Sequence, residues 1–583
     1  MKNTILIYSA IIVCSLLSSC TVYDKQNPDE DVRILYGNVI TMKAEEDRAE
    51  AVVCKDGQII FVGTRSAAEK YVTPSSKVLD YGDNYIYPGF MDAHVHGMGV
   101  AVKTGGCSMI EVAIKENFTL DDYAKRMKEF IDEDFEKNKK YRTYYKGSAM
   151  VLNPDMEPHR SILDKYIPDV PVIIETIDGH SVWVNTKTIE VYNIKDWTKR
   201  FPDGDELRVD ADGYPTGYIS EKPALELGGL TVPTKDEIKP GLLEWQEFAF
   251  SKGLTAVSEA LVSAGTVDPD CYIELAEKGL WKLRTYASYI IDENTPDDKT
   301  SIDDKFTEIL NYKKEDSEYF KIIGVKLFMD GVIEAHTGWL KEEYADLEGY
   351  YGLKRITNKD RMKYIVRTAN SNGMNVHCHS IGDGATSFAL DCLSDGQKEA
   401  GVTDARNTLA HLHIVDPGDI QRFADNNIIA VVAPLWVPKE VGVFEQTCNY
   451  IGKDRAEKQY PINSFLKAGA HISFHSDYPV SLNFSIPLTF YAAVTRTFPE
   501  LGEAGVCGKE EAISRYEALQ ALTTGCAYSF KEEKRLGSIE VGKIANFTVL
   551  NQDLMHEQIS EIPKVQVVAT IIDEDVVWPK KAK

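Results

Sequence analysis

The chain has 583 residues and a formal net charge of −25, with 43% apolar and 27% charged residues. That is the composition of a core-building globular protein, and 10% aromatics without a low-complexity tract excludes disordered and fibrous classes. Such acidity repels phosphate backbones and anionic lipid surfaces, so nucleic-acid binding is excluded. No phosphate loop and no GxGxxG motif opening a helix supports nucleotide chemistry.

Residues 1–20 read as a leader. Lys2 gives a positive start, and the apolar run Ile5–Leu17 is shorter than the roughly 20 residues that span a bilayer. It ends in Leu17-Ser18-Ser19-Cys20, which resembles a bacterial lipobox. We therefore expect lipidation at Cys20, a polar tether after it, and a soluble body anchored outside the cytoplasm at the periplasmic or cell-surface side. The membrane then enters only through this lipid. Of ten cysteines, the eight beyond Cys20 are scattered without a CxxC pair, so neither a disulfide framework nor a cysteine zinc site is expected.

Residues 21–85 carry short β-rich runs (VRILYGNVITM, EAVVCKDGQIIFVG, SKVLDYGDNYIYP) with turn signals at Lys55-Asp56-Gly57 and Gly82-Asp83-Asn84. The tail, 531–583, carries similar runs, GSIEVGKIANFTVLN and VQVVATIIDEDVVW, so the two ends can pair into one small sheet domain. Between them, 86–530 alternates buried apolar strands with amphipathic stretches such as DRMKYIVRTANSNG and PGDIQRFADNN. Strands are expected at about 86–91, 254–258, 282–290, 322–328, 374–379, 408–411, 428–433 and 471–475. Eight βα units give an α/β fold, a (β/α)8 TIM barrel. The first two strands lie about 160 residues apart, far beyond the ~30 of a βαβ unit, so a large insertion at about 100–250 follows barrel strand one.

Of twelve histidines, several fall at the ends of barrel strands, where this fold does chemistry. His94 and His96 end strand one in PGFMDAHVH, and alternate residues share a strand face. His377 and His379 end strand five, His411 and His413 end strand six, and Asp477 follows strand eight. Imidazoles and a carboxylate gathered at strand ends form a donor set for a divalent metal such as zinc. Lys326 ends strand four among Val and Leu, where an ammonium is disfavoured. It is either paired to an acid, Asp330 or Glu259, or a neutral amine that takes up carbon dioxide as a metal-bridging carbamate.

The order His-x-His, Lys, His, His, Asp, together with DGHSVWVN, DGYPTGYI, GVKLFMDG, HSIGDGA, SDYPVS and GSIEVGKIANF, resembles the amidohydrolase superfamily. Within it the strings resemble amidohydrolase family 3, the branch that includes N-substituted formamide deformylases. The resemblance runs from about residue 31 to 575. It implies a composite β-sandwich from both chain ends, and it implies His379 and His411 as the ligands on strands five and six. It further implies two divalent metal ions, taken as zinc, held by His94, His96, Lys326 (carboxylated), His379, His411 and Asp477. Asp477 would shuttle protons, Asp92 and Asp330 would orient ligands, and His180 and Trp183 of the insertion would bind substrate. The implied activity is hydrolysis of a non-peptide C–N bond in a small-molecule amide, formamide or cyclic amide. The alternatives are ester or phosphoester hydrolysis at the same metals, or an inactive anchored binding protein; a homodimer is a permitted assembly. The chain departs from the family pattern at His475 and His336, where smaller residues are usual, and at Asn546, where an Asp is usual.

Overall fold

The computed structural model describes residues 32–580, apart from 105, 114, 116, 154, 177–180, 202–206, 232–233, 266–267, 293–294 and 482. The leader with Cys20, and His180, therefore lie outside the described residues. No helix among the described residues is long and apolar enough to cross a membrane.

The N-terminal β-rich runs form β1 (Arg33–Ile40), β2 (Arg48–Lys55), β3 (Gln58–Gly63) and β4 (Lys77–Pro88). Asp56 and Gly57 make the two-residue β2–β3 turn, both at positive φ (52° and 76°), the backbone that a tight hairpin demands and that Asp-Gly supplies. After β5 (Phe90–Val95) comes the insertion, with β6 (Cys107–Ser108), β7 (Tyr145–Met150), β8 (Val172–Thr176), β9 (Ser181–Val184), β10 (Leu207–Val209) and β11 (Pro215–Ser220). These six form their own sheet, in the order β10-β11-β9-β8-β7-β6. The chain then runs through β12 (Leu254–Val262), β13 (Arg284–Ile290), β14 (Phe320–Phe328), β15 (Asn375–Ser380), β16 (Thr408–His411), β17 (Ile429–Val432) and β18 (Ile472–Phe474). It ends in β19 (Phe547–Leu550), β20 (Val567–Ile572) and β21 (Asp575–Trp578).

β5 and β12–β18 make one eight-stranded, all-parallel sheet in sequence order. Its two edges meet at the C-terminal end: His96 N donates to Tyr478 O (2.9 Å) and Asp477 N donates to His94 O (3.0 Å). The ring is thus stitched shut beside two candidate ligands. Outward side chains such as Val325, Leu327, Val376, Leu409 and Phe474 are fully buried with helix residues in one continuous core. Burial of each contributes about 1.5–3 kcal/mol. Between β14 and β15, the helix Lys359–Ser371 buries Met362, Ile365, Val366 and Ala369, the spacing of one apolar stripe. Pro417 opens the helix that follows β16, and the Asp416 side chain accepts from Gly418 N (2.8 Å) as its cap.

The chain ends build one seven-stranded sheet, β21-β20-β19-β4-β1-β2-β3, in which β19 runs antiparallel to β4. Leu35, Val52 and Ile86 share a core with Phe547, Val549 and Ile571, so one face of this sheet is closed by residues from opposite termini.

The first barrel strand is displaced from its expected place at 86–91. Ile86, Tyr87 and Pro88 end β4, and β5 begins only at Phe90. Gly89 separates the two sheets and donates its N–H to Asn546 O (2.9 Å). A Cβ there would lie 2.1 Å from the Thr255 hydroxyl, so only glycine lets the strand pass this close to its neighbour.

Candidate metal centre

The site is built at the C-terminal ends of β5, β14, β15, β16 and β18. His94 is the penultimate residue of β5 and fully buried; His96 lies one residue past the strand and is partly exposed. Both aim Nε2 at one atom, Asp477 Oδ1, at 3.2 Å and 3.3 Å. Ligand atoms of these three residues all lie within 4.8 Å of one another. Asp92 fixes the pair from below, accepting from His94 N (3.1 Å) and Ser476 N (3.1 Å). Burial pushes its carboxyl up to about 7.

His377 and His379 share the inner face of β15, while Cys378 between them packs outward into the core. His377 lies deeper in a buried chain: its Nδ1 meets Thr408 Oγ1 at 2.6 Å, and its Nε2 meets His94 Nδ1 at 2.7 Å. With Nδ1 so engaged, Nε2 is the His94 nitrogen left facing the mouth. His379 Nε2 lies 2.9 Å from Gly331 O and 3.7 Å from Asp330. Asp330 in turn accepts from Trp339 N, Ile381 N and Gly382 N (2.9, 3.0 and 2.8 Å), tying together the loops around His379.

His411 reaches the site by breaking the strand rule. Leu409 belongs to the outer core, and alternation would send His411 the same way. Positive φ at His411 (80°) and Leu412 (55°) interrupts the strand, and the ring lies 4.6 Å from that of His379 and 4.8 Å from that of His94. Asp477 is also held at positive φ (54°). A non-glycine residue in that region costs about 1–3 kcal/mol, strain that concentrates at functional sites. Trp436 stacks on His411 at 5.2 Å and 10°, forming a wall of the mouth. The neighbouring cavity of about 240 Å³ is lined by Trp436, Ile381, Phe444, Tyr460, Val332 and Glu334, among others.

Lys326 is fully buried beside His377 in the ladder, and its Nζ has no hydrogen-bond partner among the described residues. Pairing to an acid, the first of the two alternatives for Lys326, is not what the structure shows. Asp330 is engaged as above, and Glu259 accepts from Met98 N (3.0 Å) and the Tyr272 hydroxyl (2.6 Å). Burial pulls the Lys326 amine down to about 8, against the upward pull of Asp477.

His413, two residues past the end of β16, is engaged elsewhere: it meets Gln459 at 2.8 Å, stacks on Tyr460 at 4.6 Å and lines the neighbouring cavity. His336 meets Asp346 at 2.9 Å and packs on Tyr450. Trp183, expected on a substrate pocket, is fully buried on β9 in the insertion's core, with Tyr123, Met127, Tyr145 and Ile174. Alternation along β9 turns it toward the helix Leu120–Asn138, a direction that the DGHS string could not reveal. Three participants escaped the sequence reading. His377 as the partner of His94 was visible only as an HxH repeat, Trp436 carried no motif, and the left-handed backbone at His411 and Asp477 carried none either.

Whether these residues fit a metal is decided by what they lack. His94 Nε2, Lys326 Nζ, His411 Nδ1, both ring nitrogens of His475 and Asp477 Oδ1 are buried without a hydrogen-bond partner among the described residues. Proteins rarely leave buried polar atoms unpaired, and one site concentrates them here. Burial drives the imidazoles of His94, His377 and His411 well below their ordinary pKa, and His379 to about 3. The rings are therefore neutral and present lone pairs. Burial would raise the Asp477 carboxyl, but His96, with Nε2 3.3 Å from Oδ1, and the neighbouring imidazoles hold it below the usual carboxylate range. Neutral imidazoles around a carboxylate are the donors a divalent cation takes, so the set fits.

A family model described as the amidohydrolase family matches residues 77–578. An N-substituted formamide deformylase from Arthrobacter pascens is 25% identical over 559 residues, covering 93% of this chain and 97% of that protein. Protein LONG AFTER FAR-RED 3 from Arabidopsis thaliana is 25% identical over 570 residues, covering 94% and 92%. Among solved structures, an uncharacterized metal-dependent hydrolase from Pyrococcus furiosus superposes with a TM-score of 0.70 at 22% identity, covering 90% of this chain and all of that one.

Proposed function

The chain belongs to the amidohydrolase family, and on that premise we propose that it is a metal-dependent hydrolase of a non-peptide C–N bond in an amide, formamide or cyclic amide. The observation that carries this reading is the cluster of unpaired buried donors at the barrel mouth. His94, His96 and Asp477 would hold one divalent cation, and His379 and His411 a second, with carboxylated Lys326 between them. Such a cation, taken as zinc, supplies Lewis acidity and brings the pKa of water down to about 7. The chain's own residues do the rest. Water oxygen attacks the substrate carbonyl carbon, and Asp477 takes the proton released. Asp477 then returns that proton to the nitrogen as the C–N bond breaks. His377 and Thr408 keep the His94 ring in place through their hydrogen-bonded chain.

Formamides are favoured among the substrates because one relative is a formamide deformylase. The test is elemental analysis of the purified protein, then assay of zinc-loaded protein against matched N-substituted formamides, cyclic amides, carboxylic esters and phosphoesters. Bound metal with amide turnover at least tenfold above ester turnover is expected. Ester or phosphoester preference would move the reaction class, and a protein that binds no metal and turns nothing over would be a binding protein.

The lipobox-like string Leu17-Ser18-Ser19-Cys20 supports a location outside the cytoplasm, on a lipid carried by Cys20. Cys20→Ser should release it from membranes with unchanged activity in the soluble form. A variant that still sediments with membranes, measured by fractionation, would remove Cys20 as the anchor.

A further inference from the structure

His475 lies beyond the ligand set just assigned, at the end of the last barrel strand. It is buried, and neither of its ring nitrogens has a hydrogen-bond partner among the described residues. Its backbone is held on both sides: His475 N donates to Val432 O (3.0 Å), and the next N–H, of Ser476, donates to Asp92. The ring stands 5.1 Å from the His94 ring and 5.0 Å from the His411 ring, centroid to centroid. The His94–His96 and His379–His411 pairs, each read as sharing a cation, stand 5.2 Å and 4.6 Å apart. Two imidazoles on one tetrahedral cation, with metal–nitrogen bonds of about 2.0–2.1 Å, keep their ring centres roughly 5 Å apart. The hydrogen-bonded His94–His377 pair has the same spacing (4.8 Å), and what sets His475 apart from it is that both of its ring nitrogens lack a hydrogen-bond partner among the described residues.

We propose that His475 is a further metal ligand, placed where the two ligand groups meet. The inference rests on the metal-dependent reading above and adds to it a residue that the resemblance did not count among the ligands. One of its two unpaired ring nitrogens would meet the cation. An extra imidazole makes the donor set richer in nitrogen, which favours zinc and cobalt over magnesium, calcium and manganese.

The test uses cobalt(II) as the probe on metal-free full-length protein, read by its visible d–d bands and by the number of imidazoles per metal from X-ray absorption. Parent, His475→Gly and His475→Gln are compared; glutamine keeps volume and a polar atom should the glycine variant fold poorly. Both variants are expected to bind cobalt at least tenfold more weakly, with shifted bands and fewer imidazoles per metal. Parent-like affinity, bands and imidazole number in a folded variant would overturn the assignment while leaving the metal-dependent reading intact. A parent that binds neither cobalt nor zinc would overturn both.

Discussion

Asp477→Asn should lower turnover by about 10²–10⁴-fold, the usual contribution of a general acid–base, while most of the metal stays bound. The substitution keeps the shape of a side chain placed 3.2 Å from His94 and 3.3 Å from His96 but abolishes its ability to accept a proton. Metal content, measured by elemental analysis, should fall less than in His94→Ala, which removes a buried nitrogen donor outright. The direction of the pKa shift adds a second readout. A carboxyl held below its usual range stays ionised as pH falls, so the acceptor is present throughout the neutral range. The ratio of parent to variant turnover should therefore be the same at pH 6 as at pH 8. Near-parent turnover with full metal content would pass the shuttle to another group at the mouth.

The parts of this site that the sequence revealed are those governed by local periodicity. His94, His377 and His379 sit on inner faces because alternation along a strand is a rigid rule, and apolar runs marked the barrel strands to within a few residues. The composite sheet was legible because β-rich runs at both ends had no other partner. The rest depended on contacts between distant segments. The boundary between β4 and β5 turns on Gly89 meeting Thr255, a clash that no local pattern encodes. Lys326 could be recognised as buried, but only the structure shows Asp330 accepting from backbone N–H groups and Glu259 Oε2 from Met98 N and the Tyr272 hydroxyl, with no hydrogen bond from Lys326 to either acid among the described residues. Trp183 shows the opposite case: it lies within the DGHSVWVN string, yet the core of the insertion claims its side chain.

Lys326→Met should make the metal-free protein more stable and the metal-loaded enzyme inactive. The amine titrates near 10.5 in the unfolded chain and at about 8 in the folded one, because burial disfavours the ammonium. Between those values the unfolded chain holds more protons, so stability rises with pH; below about pH 8 the folded state bears the full penalty. That penalty is of order 3 kcal/mol at pH 7, since each tenfold change in the protonation equilibrium is worth about 1.36 kcal/mol. Methionine removes it, so thermal unfolding of the metal-free variant should lie above that of the parent at pH 7, and the gap should close toward pH 10.5. The same environment prepares the proposed carbamate. At pH 7 about a tenth of the amine is neutral, against roughly one part in three thousand for an ordinary lysine. The neutral nitrogen can attack carbon dioxide and lose a proton, which exchanges an unpaired buried cation for an anion that two metals can share. Parent protein freed of metal and carbon dioxide should then regain full activity with zinc only when bicarbonate is supplied, and the methionine variant should not respond. Recovery independent of bicarbonate, with parent-like metal stoichiometry in Lys326→Met, would show that the lysine is no bridge and would leave a mononuclear site on His94, His96 and Asp477.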